Sequence, residues 1–204
     1  MPGPATQTLI RTYSGLELDV CRLEPDLIRI EDIAHALALC NRFAGHTKRP
    51  ISVAQHSVYA ARIVAELLAR GPDSAVNHHS IIRQALLHDA AEAYVGDVTK
   101  WLKQTKIFEN YRILEDIIQA KIYRKFGCPV DQHEFVSYAD RILVLFEGRK
   151  GFGPGFVIDH PDYPNLSQSE IDLIGPWSPW SWKSAEELFL VHYRMYAEVM
   201  GAGT

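Results

Sequence analysis

The sequence predicts an all-α fold with a small N-terminal β-hairpin. Three observations predict it. Apolar residues recur every three or four positions over most of the chain. Strand-like alternation is confined to the first residues, about 6–23. Caps and Gly/Pro stops bracket the periodic runs. At 204 residues, 47% of them hydrophobic and 23% charged, the chain is long enough for a full core and ordinary for a globular protein. We read one domain across residues 1–204.

Residues 6–23, TQTLIRTYSGLELDVCRL, hold two partly alternating runs around Ser14-Gly15, read as a hairpin that clasps the body. A helix follows from Glu31. Glu31 and Asp32 precede the apolar run Ile33 to Leu39, where acids favour a helix N-terminus, and the helix stops near Asn41. The loop RFAGHTKRPI comes next. Ser52 to Gln55 fits an S-x-x-Q capping box. Behind it Val53, Ala60, Ile63, Val64, Leu67 and Leu68 mark one helical face that Gly71-Pro72 end. A third helix is expected over 80–94, stopping near Gly96, and a short one over 99–104. Ile107, Tyr111, Leu114, Ile118, Ile122 and Phe126 then mark a clear helical stripe ended by Gly127 and Pro129, and a sixth helix spans 132–147. Residues 30–148 are thus the expected core.

The stretch 148–182 is rich in Gly, Pro and aromatic residues and reads as a surface excursion with a short helix at 169–173. Trp177, Trp180 and Trp182 argue against disorder. With Phe156 and Tyr163 they are expected in the core or at a subunit interface, a lid or base-stacking wall being the alternative. A last helix, 185–200, closes the chain. The expected assembly is a homo-oligomer.

A net charge of −4 gives no pull toward nucleic acid or an anionic membrane, and no apolar run approaches a membrane span. The opening MPGPATQTLI lacks the charged and apolar regions of a signal peptide. Cys21, Cys40 and Cys128 form no C-x-x-C pair, so reduced thiols in a cytoplasmic protein are expected.

The chemistry concentrates in LLHDAAEAYVGD, residues 86–97. His88, Asp89, Glu92 and Asp97 follow the apolar run Ile81, Ile82, Ala85, Leu86, Leu87. Burying such groups is costly unless something offsets their polarity, and a metal ion would. On a helix His88 and Asp89 lie about 100° apart and approach one ion from the same helix end. His56, four residues after the Ser52 cap, and Asp140, inside the apolar SYADRILVLF, complete a two-His, two-Asp set. Mixed N/O ligation of one divalent ion suits Mn, Co, Fe or Ni, with Mg or Zn as alternatives. A satisfied core histidine at His56, and a salt bridge from Asp140 to Arg141 or another neighbour, are the competing readings. His46 lies near Arg42 as a secondary contact. His78-His79 read as a solvated loop, and His35, His133, His160 and His192 have no partner spacing.

The pattern His56 … His88-Asp89 … Asp140 resembles the H…HD…D signature of the HD-domain metal-dependent phosphohydrolases. NRF at 41–43, QHS at 55–57, LLHDAAEAYVGD, WLK at 101–103 and YAD at 138–140 keep the order and spacing of the bacterial 5'-deoxynucleotidase subgroup. Similar phage and prophage proteins include deoxynucleoside triphosphate triphosphohydrolases. The resemblance covers about residues 30–148. It implies an HD helical bundle with His56, His88, Asp89 and Asp140 as metal ligands. Glu92 is implied as the acid/base group for the attacking water, and Asp97 as a sugar-hydroxyl or proton-transfer group. Arg42 and Lys103 are implied as basic substrate contacts. Phe43 stands where the deoxynucleotidases carry Trp against the sugar. The implied activity is release of phosphate from a nucleoside or deoxynucleoside monophosphate, with triphosphate hydrolysis as the alternative. A non-catalytic nucleotide or metal sensor is the alternative of another class.

Overall fold

A computed structural model describes residues 9–71 and 78–197. The expected positions 6–8, Pro72, Asn77 and 198–200 lie outside the described residues. Two short strands, β1 (Leu9–Arg11) and β2 (Glu17–Asp19), pair antiparallel with Ile10 opposite Leu18. Leu18, Val20 and Leu23 are buried against the body. The helices are α1 (Ile30–Leu39), α2 (Val53–Ala69), α3 (His78–Leu86), α4 (Glu92–Val95) and α5 (Lys100–Lys103). They continue with α6 (Glu109–Lys125), α7 (Glu134–Phe152), α8 (Gln168–Ile174) and α9 (Trp182–Ala197). The fold is therefore helical with a small N-terminal hairpin, as the sequence predicts. No helix among the described residues is long and apolar enough to cross a membrane.

α2 is the axis of the bundle. Every residue from Val53 to Ala61 is buried, and α1, α3, α7 and α9 pack around it. A helix buried on all sides must satisfy its polar residues internally. The Ser52 hydroxyl accepts from Gln55 N–H at 3.2 Å, so half of the expected capping box forms. The Gln55 side chain instead donates to Ser178 O (2.8 Å) and accepts from Trp180 N–H (2.9 Å), tying the excursion to the core. The full capping box occurs at α8, where Ser167 and Glu170 exchange bonds. Asp32 does more than serve a helix N-terminus: its carboxylate accepts from Ser14 N–H (2.6 Å) and Oγ (2.8 Å) and fastens the hairpin tip to α1.

Three helix expectations are corrected. The single helix over 80–94 is two, α3 and α4, separated at residues 87–91. His78 and His79 begin α3 rather than a loop. Ile107 lies before α6 and is 90% exposed, so the stripe begins at Tyr111.

The sixth helix runs past Glu147 to Phe152, through Gly148 and Gly151, which read as the start of the excursion. Both glycines permit close approach. A Cβ on Gly148 would meet the Phe156 ring at 2.1 Å, and one on Gly151 would meet Thr47 Cγ2 at 2.4 Å. The Gly151 carbonyl also accepts from Lys48 N–H at 3.0 Å, docking the 47–51 loop on the end of α7. Thr47 Cβ lies 2.9 Å from the same built position, so the loop itself has to move. Gly151→Ala is accordingly expected to destabilise the protein by about 1–3 kcal/mol despite its better helix propensity. Chemical denaturation measures this, and a stabilised variant would contradict the packing described.

Candidate active site

The His88-Asp89 pair sits where α3 unwinds. Leu87 N–H is shared between Arg83 O and Gln84 O. Ala90 N–H then bonds Leu87 O, and Glu92 N–H bonds Asp89 O, at 3.0 Å each, a three-residue spacing tighter than an α-helix. The groups left over are satisfied by side chains. His88 Nδ1 bonds Ala85 O at 2.7 Å. Gln119 of α6 donates to Leu87 O (2.7 Å) and accepts from Ala91 N–H (3.0 Å). The expectation of two side chains on one regular helix is thus replaced by a tight turn that brings His88 Nε2 and Asp89 Oδ2 to 3.3 Å.

Four proposed ligands converge. His56 Nε2 lies 3.2 Å from His88 Nε2, 3.3 Å from Asp140 Oδ1 and 3.7 Å from Asp89 Oδ2. His88 Nε2 lies 4.0 Å from Asp140 Oδ1. Asp140 therefore faces the histidines. Its neighbour Arg141 pairs with Glu170 at 3.7 Å, so the salt-bridge reading does not hold for Arg141, while Arg42 lies 3.9 Å from Asp140 and keeps it for another neighbour.

Glu147 was missed. It is fully buried, and its Oε2 lies 3.1 Å from His56 Nδ1 and 2.9 Å from Arg42 Nε. The signal was present: an acid two turns after Asp140 on the same face of an otherwise apolar helix. With His88 Nδ1 on a carbonyl and His56 Nδ1 on a carboxylate, both rings turn Nε2 inward. Two ring nitrogens and two carboxylate oxygens then face one another.

The surrounding charge is acidic. Burial and Arg42 oppose a proton on His56, yet Glu147 and Asp140 push its pKa up to about 9. Burial raises Asp89 and Asp140, but the two histidines and Arg42 hold both below the usual carboxylate range. Glu92 moves the other way. Burial first, then the charges of Asp89 and Asp97, lift it well above its ordinary value. Its Oε1 accepts from Lys103 Nζ at 3.1 Å, while its Oε2 is buried without a partner. Lys103 also donates to Glu115 at 2.6 Å. Asp97 is lifted mainly by burial.

Arg42 comes from a strained loop. Phe43 (φ 56°, ψ 32°) and Ala44 (φ 51°, ψ 29°) are both left-handed, a conformation costing roughly 1–3 kcal/mol per residue. The loop turns Arg42 into the site, 3.3 Å from Asp89 and 3.9 Å from Asp140, and turns Phe43 outward against Phe152 and Phe156.

The site opens into a cleft of about 440 Å³. Arg42, Asp89, Glu92, Asp97, Lys103 and Asp140 form its floor, and Phe43, His46, Trp101, Phe152, Phe156 and Tyr163 line its walls. Phe156 and Tyr163 thus follow the wall alternative. Trp177 packs on Phe146, and Trp180 on Tyr59, as core residues. Trp182 is 43% exposed, edge-on to His35.

A helical bundle that gathers histidine and aspartate donors from α2, the 87–91 turn and α7 is the arrangement of an HD protein. The HD-domain profile matches residues 41–127. The uncharacterized protein YfdR of Escherichia coli is 35% identical over 142 residues, 70% of this chain and 71% of that one. An uncharacterized protein of Rhodobacter capsulatus is 38% identical over 121 residues, 58% of each chain. This chain belongs to the HD-domain family, whose members bind divalent metal and are generally hydrolases.

Gln119 supports the turn from outside it. Gln119→Ala leaves Ala91 N–H without its partner and the Leu87 carbonyl with Ala90 N–H alone, and a loss of about 1–3 kcal/mol is expected if the Ala91 N–H stays dry. The check is thermal and denaturant unfolding against Gln119→Glu, which can still accept from Ala91.

Proposed function

We propose that the protein is a metal-dependent 5'-nucleotidase that releases phosphate from nucleoside or deoxynucleoside monophosphates. The observation that carries the proposal is the set His56 Nε2, His88 Nε2, Asp89 Oδ2 and Asp140 Oδ1, gathered within about 4 Å of His56 or His88, whose two aspartates line an aromatic-walled cleft. The carboxylates around the two ring nitrogens make this a place that favours positive charge, and hence a bound cation. Mn, Co, Fe or Ni suit the donors, with Mg or Zn as alternatives. Such an ion lowers the pKa of bound water and neutralises phosphoryl oxygens.

The chain's residues supply the rest. Glu92, buried and raised, exchanges a proton with the attacking water. Arg42 stabilises charge developing on the phosphoryl group. Asp97 receives a sugar hydroxyl, and Phe43 packs beside the sugar. A monophosphate is favoured over a triphosphate because the cations of the cleft are largely engaged. Arg42 faces three carboxylates and Lys103 bonds two, which leaves Lys100, itself donating to Tyr163 Oη, for any outer phosphate.

Phosphate release from a nucleotide panel with added Mn or Co tests the reading. Orthophosphate from monophosphates is the expected product. Tripolyphosphate from triphosphates would replace the proposal with the triphosphohydrolase, and metal or nucleotide binding without turnover would leave a sensor.

Two variants separate binding from chemistry. Asp89→Ala should lose the ion by elemental analysis and all activity with it. Glu92→Ala should keep the ion and lower kcat by ~10²–10⁴-fold; near-normal turnover would refute its role.

Glu147→Gln tests the support behind His56. Metal affinity is expected to fall by about 10–100-fold, read by competition with a chelating dye. Unchanged affinity would show that the buried carboxylate serves Arg42 alone.

A further inference from the structure

The aromatic wall continues beyond the cleft. A second cavity of about 310 Å³ is lined by Trp101, Phe156, Val157, Ile158 and Asp159. Trp101, Phe156 and Ile158 line both cavities, so the two adjoin along shared side chains. Asp89 and Asp140 line the first and Asp159 the second.

The two large rings are held by different elements. Trp101 belongs to α5 and rests on His160 (5.4 Å between centroids) and Tyr163 (6.2 Å). Phe156 follows α7 and is stacked on Phe152 at 5.2 Å and 17°, close over Gly148. A latch joins the two sides, with Lys100 Nζ donating to Tyr163 Oη at 2.5 Å. Rings positioned in this way offer broad π faces at little entropic cost. Asp159 is exposed at the outer end, and among the described residues its carboxylate has no hydrogen-bond or ion-pair partner.

We propose that this outer cavity is a nucleobase subsite, with Trp101 and Phe156 as the stacking surfaces and Asp159 as the acceptor for a base edge that carries adjacent N–H donors. The inference rests on the nucleotide reading of the inner site. An ionised carboxylate only accepts. Guanine presents N1–H and N2–H side by side, a match for both carboxylate oxygens. Thymine and uracil present one N–H between two carbonyls, which face the carboxylate unfavourably. Adenine and cytosine offer one amino donor next to a ring acceptor. The expected order is therefore guanine first and thymine or uracil last.

The test uses nucleosides, which probe the base without the phosphate chemistry. Deoxyguanosine and thymidine are titrated calorimetrically into the wild-type protein and Asp159→Asn, and phosphate release from the two corresponding monophosphates is measured with Mn. Asp159 is exposed, so the variant is expected to fold. The wild type should bind deoxyguanosine about tenfold more tightly than thymidine, as one bidentate base contact discriminates, and Asp159→Asn should remove that preference. Equal affinities in the wild type, or a preference that survives Asp159→Asn, overturns the subsite. The expected nucleoside preference without phosphate release supports the subsite and overturns the proposed reaction instead.

Discussion

Electron-rich atoms do not gather in a protein interior without a countercharge. His56 and His88 spend their Nδ1 atoms on Glu147 and on the Ala85 carbonyl, so their Nε2 atoms meet at 3.2 Å beside two aspartates. Much of the surrounding structure follows from that constraint. Arg42 is drawn in from its loop to within 4 Å of three carboxylates. Lys103 is set between Glu92 and Glu115. The result is a pocket of carboxylates and ring nitrogens with basic groups at its edge.

Irregular backbone brings these groups together. The 87–91 turn and the left-handed pair Phe43-Ala44 both depart from regular geometry, and both are braced from outside. Gln119 supplies two hydrogen bonds to the turn. The Arg42 loop is framed by backbone bonds from Arg42 N–H to Ile51 O and from Val53 N–H to Cys40 O, each 2.9 Å. Irregular backbone where His88, Asp89 and Arg42 emerge, in an otherwise regular bundle, marks placement of side chains as the constraint on these segments.

The fold was legible because a bundle is written in apolar periodicity, and α2 and most of α6 kept theirs. The proposed ligands were legible because His88-Asp89 and Asp140 interrupt apolar runs in a recognisable order. Other features were hidden for physical reasons. The break after Leu86 has no Gly or Pro to announce it, since side-chain bonds that support it come from Gln119 in α6, beyond α4 and α5 in the chain. Gly148 and Gly151 looked like stops because glycine lowers helix propensity. Here they are contact points where a Cβ would not fit. Phe156 and Tyr163 joined the cleft through long-range packing that periodicity does not encode.

α7 joins both ends of the cleft in one rigid rod. Asp140, Val144, Glu147 and Gly151 follow one face, and Phe152 ends it. At about 1.5 Å per residue, Asp140 and Phe152 are spaced by roughly 18 Å of helix. Deleting one residue between them would turn everything downstream by about 100° and part the aromatic wall from the ligand floor. Residues 140–152 are therefore constrained in length as well as at the side chains that face the site and its walls. The segment 153–167 keeps no helical register and is instead pinned at single points, Phe156 over Gly148, Tyr163 on Lys100 and Asn165 on Arg149, so what the cleft admits is set there by individual contacts.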